Sequence, residues 1–350
     1  MEDGDGQEFR KQQPHQGLHF RESVSILNEI KKTDQLKGQA QSDMQRMEKL
    51  LRGALTVEKT ADGIIPRRFT GDVAWRGVLN PHSAGIRLEA VTDATEIKMS
   101  VRLGRSQHPL ARGTFDLFVD GRFFRAFTPE EPYTAGQFFH FETDLPPAEA
   151  KKLVLYFPTY RETEILDLAA NDELRKMPEY EGKILFLGDS ITHGYGATPG
   201  FNYAAQYARK LRKDFVNLAI GGACFPDILP PGLLRLGCDE LIVAYGTNDA
   251  KGKDPLTDTE RRLRNLLNFA MRNPWKITVL SPVFDRSATT EIVKIRLGIT
   301  GVIKKVTSEF PSVRFVDGCD AFADIPVFFV DGTHPSPEGM TRIAELLSFS

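Results

Sequence analysis

Cysteine is scarce in this chain. Three are present in 350 residues, Cys224, Cys238 and Cys319. Their spacing matches no metal-ligand pattern, and an odd, sparse set builds no disulfide framework. The disulfide-rich secreted class is excluded, and a reducing compartment is expected. Net charge is scant too: 45 Lys and Arg against 47 Asp and Glu leave −2. Nothing in that balance draws the chain to nucleic acid or to an anionic membrane. No apolar run approaches the ~18 residues of a membrane span. The opening stretch, M-E-D-G-D-G-Q-E-F-R-K, lacks the basic and apolar segments of a secretory leader. These absences together predict a cytoplasmic protein with neither a nucleic-acid nor a membrane partner.

What is present is organised in blocks. The length suggests about two domains at roughly 150 residues each. Residues 1–66 read as an N-terminal extension. Its first twenty are polar and expected to be disordered. Val24, Ile26, Leu27 and Ile30 suggest one short helix, and Met44, Met47, Leu50, Leu51 and Leu55 a second. This extension is expected to pack on its own body or on a neighbouring subunit of a homo-oligomer. From 67 to 170 the texture is alternating. Ile97-Lys98-Met99-Ser100-Val101-Arg102-Leu103 switches apolar and polar at every step. Asp120-Gly121 sits between two such runs and signals a two-residue hairpin. Several short strands with turns between them predict an antiparallel β-sandwich. Trp75, Tyr133 and Tyr160 lie in this region; core packing is expected of them, with a sugar-stacking face as the other reading. Residues 171–182 are a polar linker carrying Pro178 and Gly182.

From 183 onward strands and helices alternate, which predicts a parallel sheet with crossover helices. Strands are expected at 183–190, 215–220, 240–245, 277–282 and 313–316. Ile184, Leu185, Phe186 and Leu187 form an uninterrupted apolar run of the kind buried on both faces of such a sheet. Thr257-Asp258-Thr259-Glu260 looks like a capping box at a helix start. Chemistry-bearing residues fall at the strand ends, where open α/β sheets place their ligands. Ser190 ends the first strand in Gly188-Asp189-Ser190. Gly221-Gly222 ends the second, and paired glycines allow close backbone approach to a ligand. Asn248 ends the third in Gly246-Thr247-Asn248-Asp249. Asp331-Gly332-Thr333-His334 follows the last. Taken singly these are also a helix cap, an ordinary turn, an Asn turn and a surface loop. A serine nucleophile needs a base, a group to orient that base, and donors for an oxyanion. His334 can be the base, with Asp331 accepting from its other ring nitrogen. His193, three residues after Ser190, is the other histidine in this half. It is expected to line the cleft with Asp189 as a substrate contact.

The four blocks in this order resemble the SGNH (GDSL-like) hydrolase superfamily. The resemblance covers 183–350 and rests on G-D-S at 188–190, Gly222, G-T-N-D at 246–249 and D-x-x-H at 331–334. Ile191 stands where the eponymous motif has Leu. The resemblance implies a flavodoxin-like three-layer α/β/α domain. It also implies Ser190 as nucleophile and first oxyanion donor, Gly222 and Asn248 as the other donors, His334 as base and Asp331 as its orienter. No metal or organic cofactor is implied. A β-sandwich, jelly-roll-like, ahead of such a domain resembles two-domain carbohydrate acetylesterases and also a few small-molecule acyltransferases. The expected activity is a serine esterase acting on short acyl, above all acetyl, esters of a sugar or other polyol. The substrate partner would be a small molecule or an oligosaccharide ester. An acyltransferase using the same acyl-enzyme, and a non-catalytic carbohydrate-binding protein, are the competing readings.

Overall fold

The computed structural model describes residues 44–73, 81–105, 112–130, 133–284, 290–322 and 328–349. The polar stretch 1–20, the expected helix around Val24–Ile30 and Trp75 lie outside the described residues. The chain divides into two compact units, Met1–Met47 and Glu48–Ser350. Among the described residues, every sheet lies in the second unit.

Two antiparallel sheets come first. One contains β1 (Leu51–Arg52), β4 (Arg87–Thr92), β6 (Phe115–Val119), β7 (Arg122–Phe127) and β9 (Lys151–Tyr156) in the order β1-β4-β9-β6-β7. The other contains β2 (Thr56–Lys59), β3 (Ile64–Arg67), β5 (Glu96–Leu103), β8 (Phe138–Asp144) and β10 (Thr163–Ala170) in the order β2-β3-β10-β5-β8. The chain crosses between sheets from β4 to β5 and again at β8, β9 and β10, as in a jelly roll. Alternation does the packing: along β5 every second residue is buried. Rings meet across the two sheets, Phe127 on Phe141 at 4.3 Å and Phe115 on Phe141 at 5.2 Å.

The expected boundaries move outward here. The sandwich draws in β1, β2 and β3 from the region read as an extension, so it does not begin at 67. The helix expected to run to Leu55 ends at residue 50, and Leu51 and Arg52 pair with Leu88 and Arg87. The expected linker supplies β11 (Arg175–Lys176), which pairs with β4. Strands of two to four residues are too short to display a period.

The C-terminal half is a five-stranded parallel sheet. Its strands are β12 (Lys183–Gly188), β13 (Asp214–Asn217), β14 (Glu240–Ala244), β15 (Lys276–Leu280) and β16 (Val313–Val316), ordered β13-β12-β14-β15-β16. Ile184, Leu185, Phe186 and Leu187 are each wholly inaccessible to solvent, as a doubly covered strand requires. Helices α1 (Ser190–His193), α2 (Tyr203–Leu211), α3 (Pro255–Ala270), α4 (Glu291–Ser308) and α5 (Pro337–Phe349) intervene. Leu185 and Leu187 pack into a core with Leu263 of α3 and Ile303 of α4. Ile184 and Phe186 pack into another with Ala204 of α2 and Ile343 of α5. The arrangement is three layers, α/β/α. The helix start expected at Thr257 lies three residues earlier, at Asp254. Its carboxylate accepts from the Thr257 N–H at 3.4 Å, and Pro255 takes the first helical position, where a missing N–H is harmless.

Strand order reverses at β12, with β13 on one side and β14 on the other. Ligands bind at such switch points, outside the carboxyl ends of the strands. The loops after β12, β13 and β14 therefore open onto one crevice. The sandwich packs directly against this half. Arg87 donates to Asp214 Oδ1 at 2.6 Å, Asp116 Oδ2 accepts from the Gly200 N–H at 2.8 Å, and Phe118 packs on Phe201.

Candidate active site

Asp189 turns the chain from β12 into α1. Its side chain accepts from the Ile191 N–H at 3.0 Å, which caps the helix and sets Ser190 at the start of its first turn. The Ser190 hydroxyl lies 2.8 Å from His334 Nε2. His334 Nδ1 is 2.7 Å from Asp331 Oδ2. The carboxylate accepts only, so the ring proton is on Nδ1 and Nε2 presents its lone pair to the serine. Asp331 also accepts from the His334 N–H at 2.8 Å and the Thr333 N–H at 3.1 Å. Partial burial opposes ionisation of Asp331, but these bonds to His334 and Thr333 outweigh it and hold the carboxyl below its ordinary range. Two cross-loop bonds pin the segment: Val330 N–H to His334 O at 2.8 Å and Ser336 N–H to Phe328 O at 2.7 Å. Tyr195 sets its ring edge-on to the His334 imidazole at 4.3 Å.

Gly222 lies in the turn after β13. It has φ +78°, a conformation that favours glycine, and open space where a side chain would project. Among the described residues its N–H has no hydrogen-bond partner. Asn248, after β14, is half-buried, and its Nδ2 donates to Ala223 O at 3.1 Å. The second and third strand ends are thereby tied together. Beside this turn opens a cleft of about 960 Å³, lined by Ile220, Gly222, Ala223, Leu229, Pro230 and Tyr245 among others. Arg235 and Asp72 form an ion pair of 2.6 Å on its wall.

Two expected substrate contacts require correction. His193 has no solvent-accessible surface. Its Nε2 lies 2.8 Å from Thr159 O, and its Nδ1 accepts from the Gly221 N–H at 3.1 Å. A ring three residues along α1 from Ser190 points back under the helix rather than into the crevice. Asp189 is 2% exposed. Burial pushes its carboxyl up to about 7, despite the bonds from Ile191 and Thr247. It shapes the turn rather than meeting substrate. Tyr160 is buried as well, stacked on His193 at 4.1 Å, so it forms no stacking face; Tyr133 is half-buried, donates to Gln137 O and has the Arg161 guanidinium over its ring at 5.2 Å. Sequence reasoning missed Arg68, Thr159 and Tyr195 altogether. No motif marks them as site residues; Arg68 and Thr159 reach the site through the packing of the sandwich on the parallel-sheet half, and Tyr195 through the loop after α1 that sets it against His334.

Residues 186–342 match the GDSL-like Lipase/Acylhydrolase family. The matched region is the parallel-sheet half, which carries a GDSL-like lipase/acylhydrolase domain, and this supports a carboxylic-ester hydrolase. Comparison with curated proteins gives no match. Solved structures of similar fold span both halves. The salicylyl-acyltransferase SsfX3 from a tetracycline biosynthetic pathway is 20% identical over 85% of this chain and 92% of its own, with a TM-score of 0.68. A family two carbohydrate esterase from Clostridium thermocellum is 19% identical over 85% and 97%, with a TM-score of 0.59. The acetyl xylan esterase Est2A from Butyrivibrio proteoclasticus is 16% identical over 85% and 93%, with a TM-score of 0.54. At these identities the likeness is one of fold.

Proposed function

We propose that this protein is a serine esterase that removes short acyl groups, above all acetyl, from a sugar or other polyol. The observation that carries the reading is the chain of contacts Ser190–His334–Asp331, at 2.8 and 2.7 Å. His334 Nε2 takes the hydroxyl proton as Ser190 Oγ attacks the ester carbonyl. The Ser190 and Gly222 N–H groups and the Asn248 amide take up the oxyanion. The tetrahedral adduct collapses, the C–O bond to the alcohol breaks, and His334 returns its proton to the leaving oxygen. Water then repeats the sequence on the acyl-enzyme and releases the acid. The fold shared with an acetyl xylan esterase supports the acetyl preference. The sparse cysteines support action in the cytoplasm.

A second reading has one observation in its favour. The cleft of about 960 Å³ beside the Gly222 turn is larger than an acetyl group needs. It could hold an acceptor alcohol or a bulkier acyl group, which would make the protein an acyltransferase. The test is an acyl-chain series of 4-nitrophenyl esters, followed by acetylated sugars with and without added alcohols. A fluorophosphonate should label Ser190, and acetate should turn over faster than octanoate. Absence of labelling overturns the serine mechanism. Faster turnover of octanoate overturns the acetyl preference, and product transferred to an alcohol in preference to water favours the second reading.

A further inference from the structure

His193 belongs to a buried cluster beneath the proposed nucleophile, drawn from both architectures. Arg68, which follows β3 of the sandwich, is 1% exposed. Its guanidinium donates to Asn217 O at 2.6 Å and to Ala219 O at 3.1 Å, the carbonyls along the exit from β13. It also donates to His82 O at 2.7 Å, and its Nη2 stands 3.5 Å from His193 Nε2. Thr159 faces His193 through its carbonyl, and Tyr160 lies flat on the ring, 18° from parallel. These contacts dictate the state of the imidazole. A carbonyl only accepts, so Nε2 carries the proton toward Thr159. Nδ1 is then the acceptor that the Gly221 N–H requires. A protonated ring could not accept from Gly221. Burial and the nearby Arg68 cation both hold the pKa of His193 well below its ordinary value, so the ring stays neutral.

We infer that His193 is a positioning residue for the oxyanion hole: its Nδ1 fixes the Gly221 peptide and so aims the Gly222 N–H, while Arg68, Thr159 and Tyr160 of the sandwich hold the ring in place. The inference rests on the reading of Gly222 as an oxyanion donor. The geometry leaves the turn little freedom. The Ile220 N–H donates to Gly188 O at 3.1 Å, the Ala223 N–H donates to Ile220 O at 3.1 Å, and Gly221 is held by His193. With the peptides on either side anchored, the Gly222 N–H is the donor this turn leaves pointing outward. The sandwich is thereby part of the catalytic apparatus, though none of these three residues touches substrate.

Two substitutions separate this role from core filling. In His193→Asn the side-chain oxygen sits near the place of Nδ1 and can still accept from Gly221. In His193→Gln the longer amide reaches Thr159 instead, and Gly221 loses its acceptor. Both variants lose stability. With 4-nitrophenyl acetate, at a temperature where both are folded, the Asn variant should keep kcat within about tenfold of the native enzyme. The Gln variant should lose roughly 10² in kcat with KM little changed, the loss typical of a damaged oxyanion hole. Phenylboronic acid, whose adduct on Ser190 places an oxygen in the hole, should weaken in the same proportion. Equal kcat in the two variants, or a loss confined to KM, overturns the inference. Should neither variant fold, the native protein answers alone. A ¹⁵N–¹⁵N coupling across the hydrogen bond between His193 Nδ1 and the Gly221 amide is expected, and its absence overturns the assignment. Native enzyme that neither hydrolyses the ester nor takes a fluorophosphonate would instead bring down the reading of Ser190 on which the inference stands.

Discussion

His334 approaches Ser190 from a short surface loop, whereas Gly222 approaches the same edge of the sheet from a turn locked into the interior. The side chains of His334 and Asp331 are 15% and 40% exposed, and their loop is held by bonds within itself. On the other side His193 and Arg68 are buried, and their contacts cross from one architecture to the other. On the proposed mechanism the difference follows from the work asked of each side. A base must exchange protons with alcohol and water, so it needs solvent and some latitude. Oxyanion donors act by being fixed before charge develops, because dipoles that reorient during reaction contribute less. On the proposed mechanism, rigidity is concentrated where it would lower the barrier.

The largest expected effect lies on the exposed side. His334→Ala should lower kcat by on the order of 10⁴ or more, since among the described residues no other imidazole reaches the Ser190 hydroxyl. Steady-state kinetics on a chromogenic ester checks this. Retained turnover would mean that the exposed side is dispensable and that the contrast is drawn in the wrong place. Next comes the donor shared by both sides of the crevice. Asn248→Ala should cost roughly 10² to 10³ in kcat and little in KM. A loss seen only in KM would assign Asn248 to ground-state binding.

A subtler change sharpens the interior side. A Cβ on Gly221 would stand 3.0 Å from Tyr160 Oη, closer than the neighbour can accept without shifting. Gly221→Ala should therefore lower kcat by about tenfold, and Tyr160→Phe in the same chain should recover part of the loss. No recovery would locate the strain elsewhere. The smallest effect concerns stability. Asp189 titrates near 7 in the native protein, against an ordinary carboxylate value of about 4 once unfolded. Between those values the native state holds a proton that the unfolded chain has released, so stability falls as pH rises through that window and levels off above it. Asp189→Asn should flatten this slope. It should not remove it, because burial also pushes Asp249 up to about 6, within the same window. Thermal melts of both proteins from pH 4 to 8 check it, and identical slopes would mean that Asp189 is ionised in the native state throughout.

The legibility of the sequence follows the same divide. Ser190, Gly222 and Asn248 each follow a strand within a few residues, and Asp331 and His334 share one loop ahead of α5, so motif and order together pick them out. The doubly buried strands are plain as well: Ile184 to Leu187 has nothing polar in it. What escapes a reading of the sequence depends on tertiary approach. The roles of Thr159 and Arg68 arise because they are carried to within hydrogen-bond reach of residues 34 and 149 positions away. His193 is misread because spacing along α1 says that it is near Ser190 but not which way its ring faces. The short strands β1 to β3 escape because pairing with distant partners, rather than any local period, makes them strands.

Arg68 has one more implication, for how the molecule comes apart. Its guanidinium bridges the sandwich to the exit of β13, and Arg87 does the same through Asp214 a few residues upstream. Melting either architecture alone would break both bridges and expose the seam where Phe118 meets Phe201 and the Arg87 cation lies over the Phe215 ring. A half-unfolded intermediate therefore gains the chain entropy of one half while giving up contacts that belong to both. Calorimetry of residues 48–350 would accordingly register a single heat-absorption peak, two architectures sharing one cooperative transition.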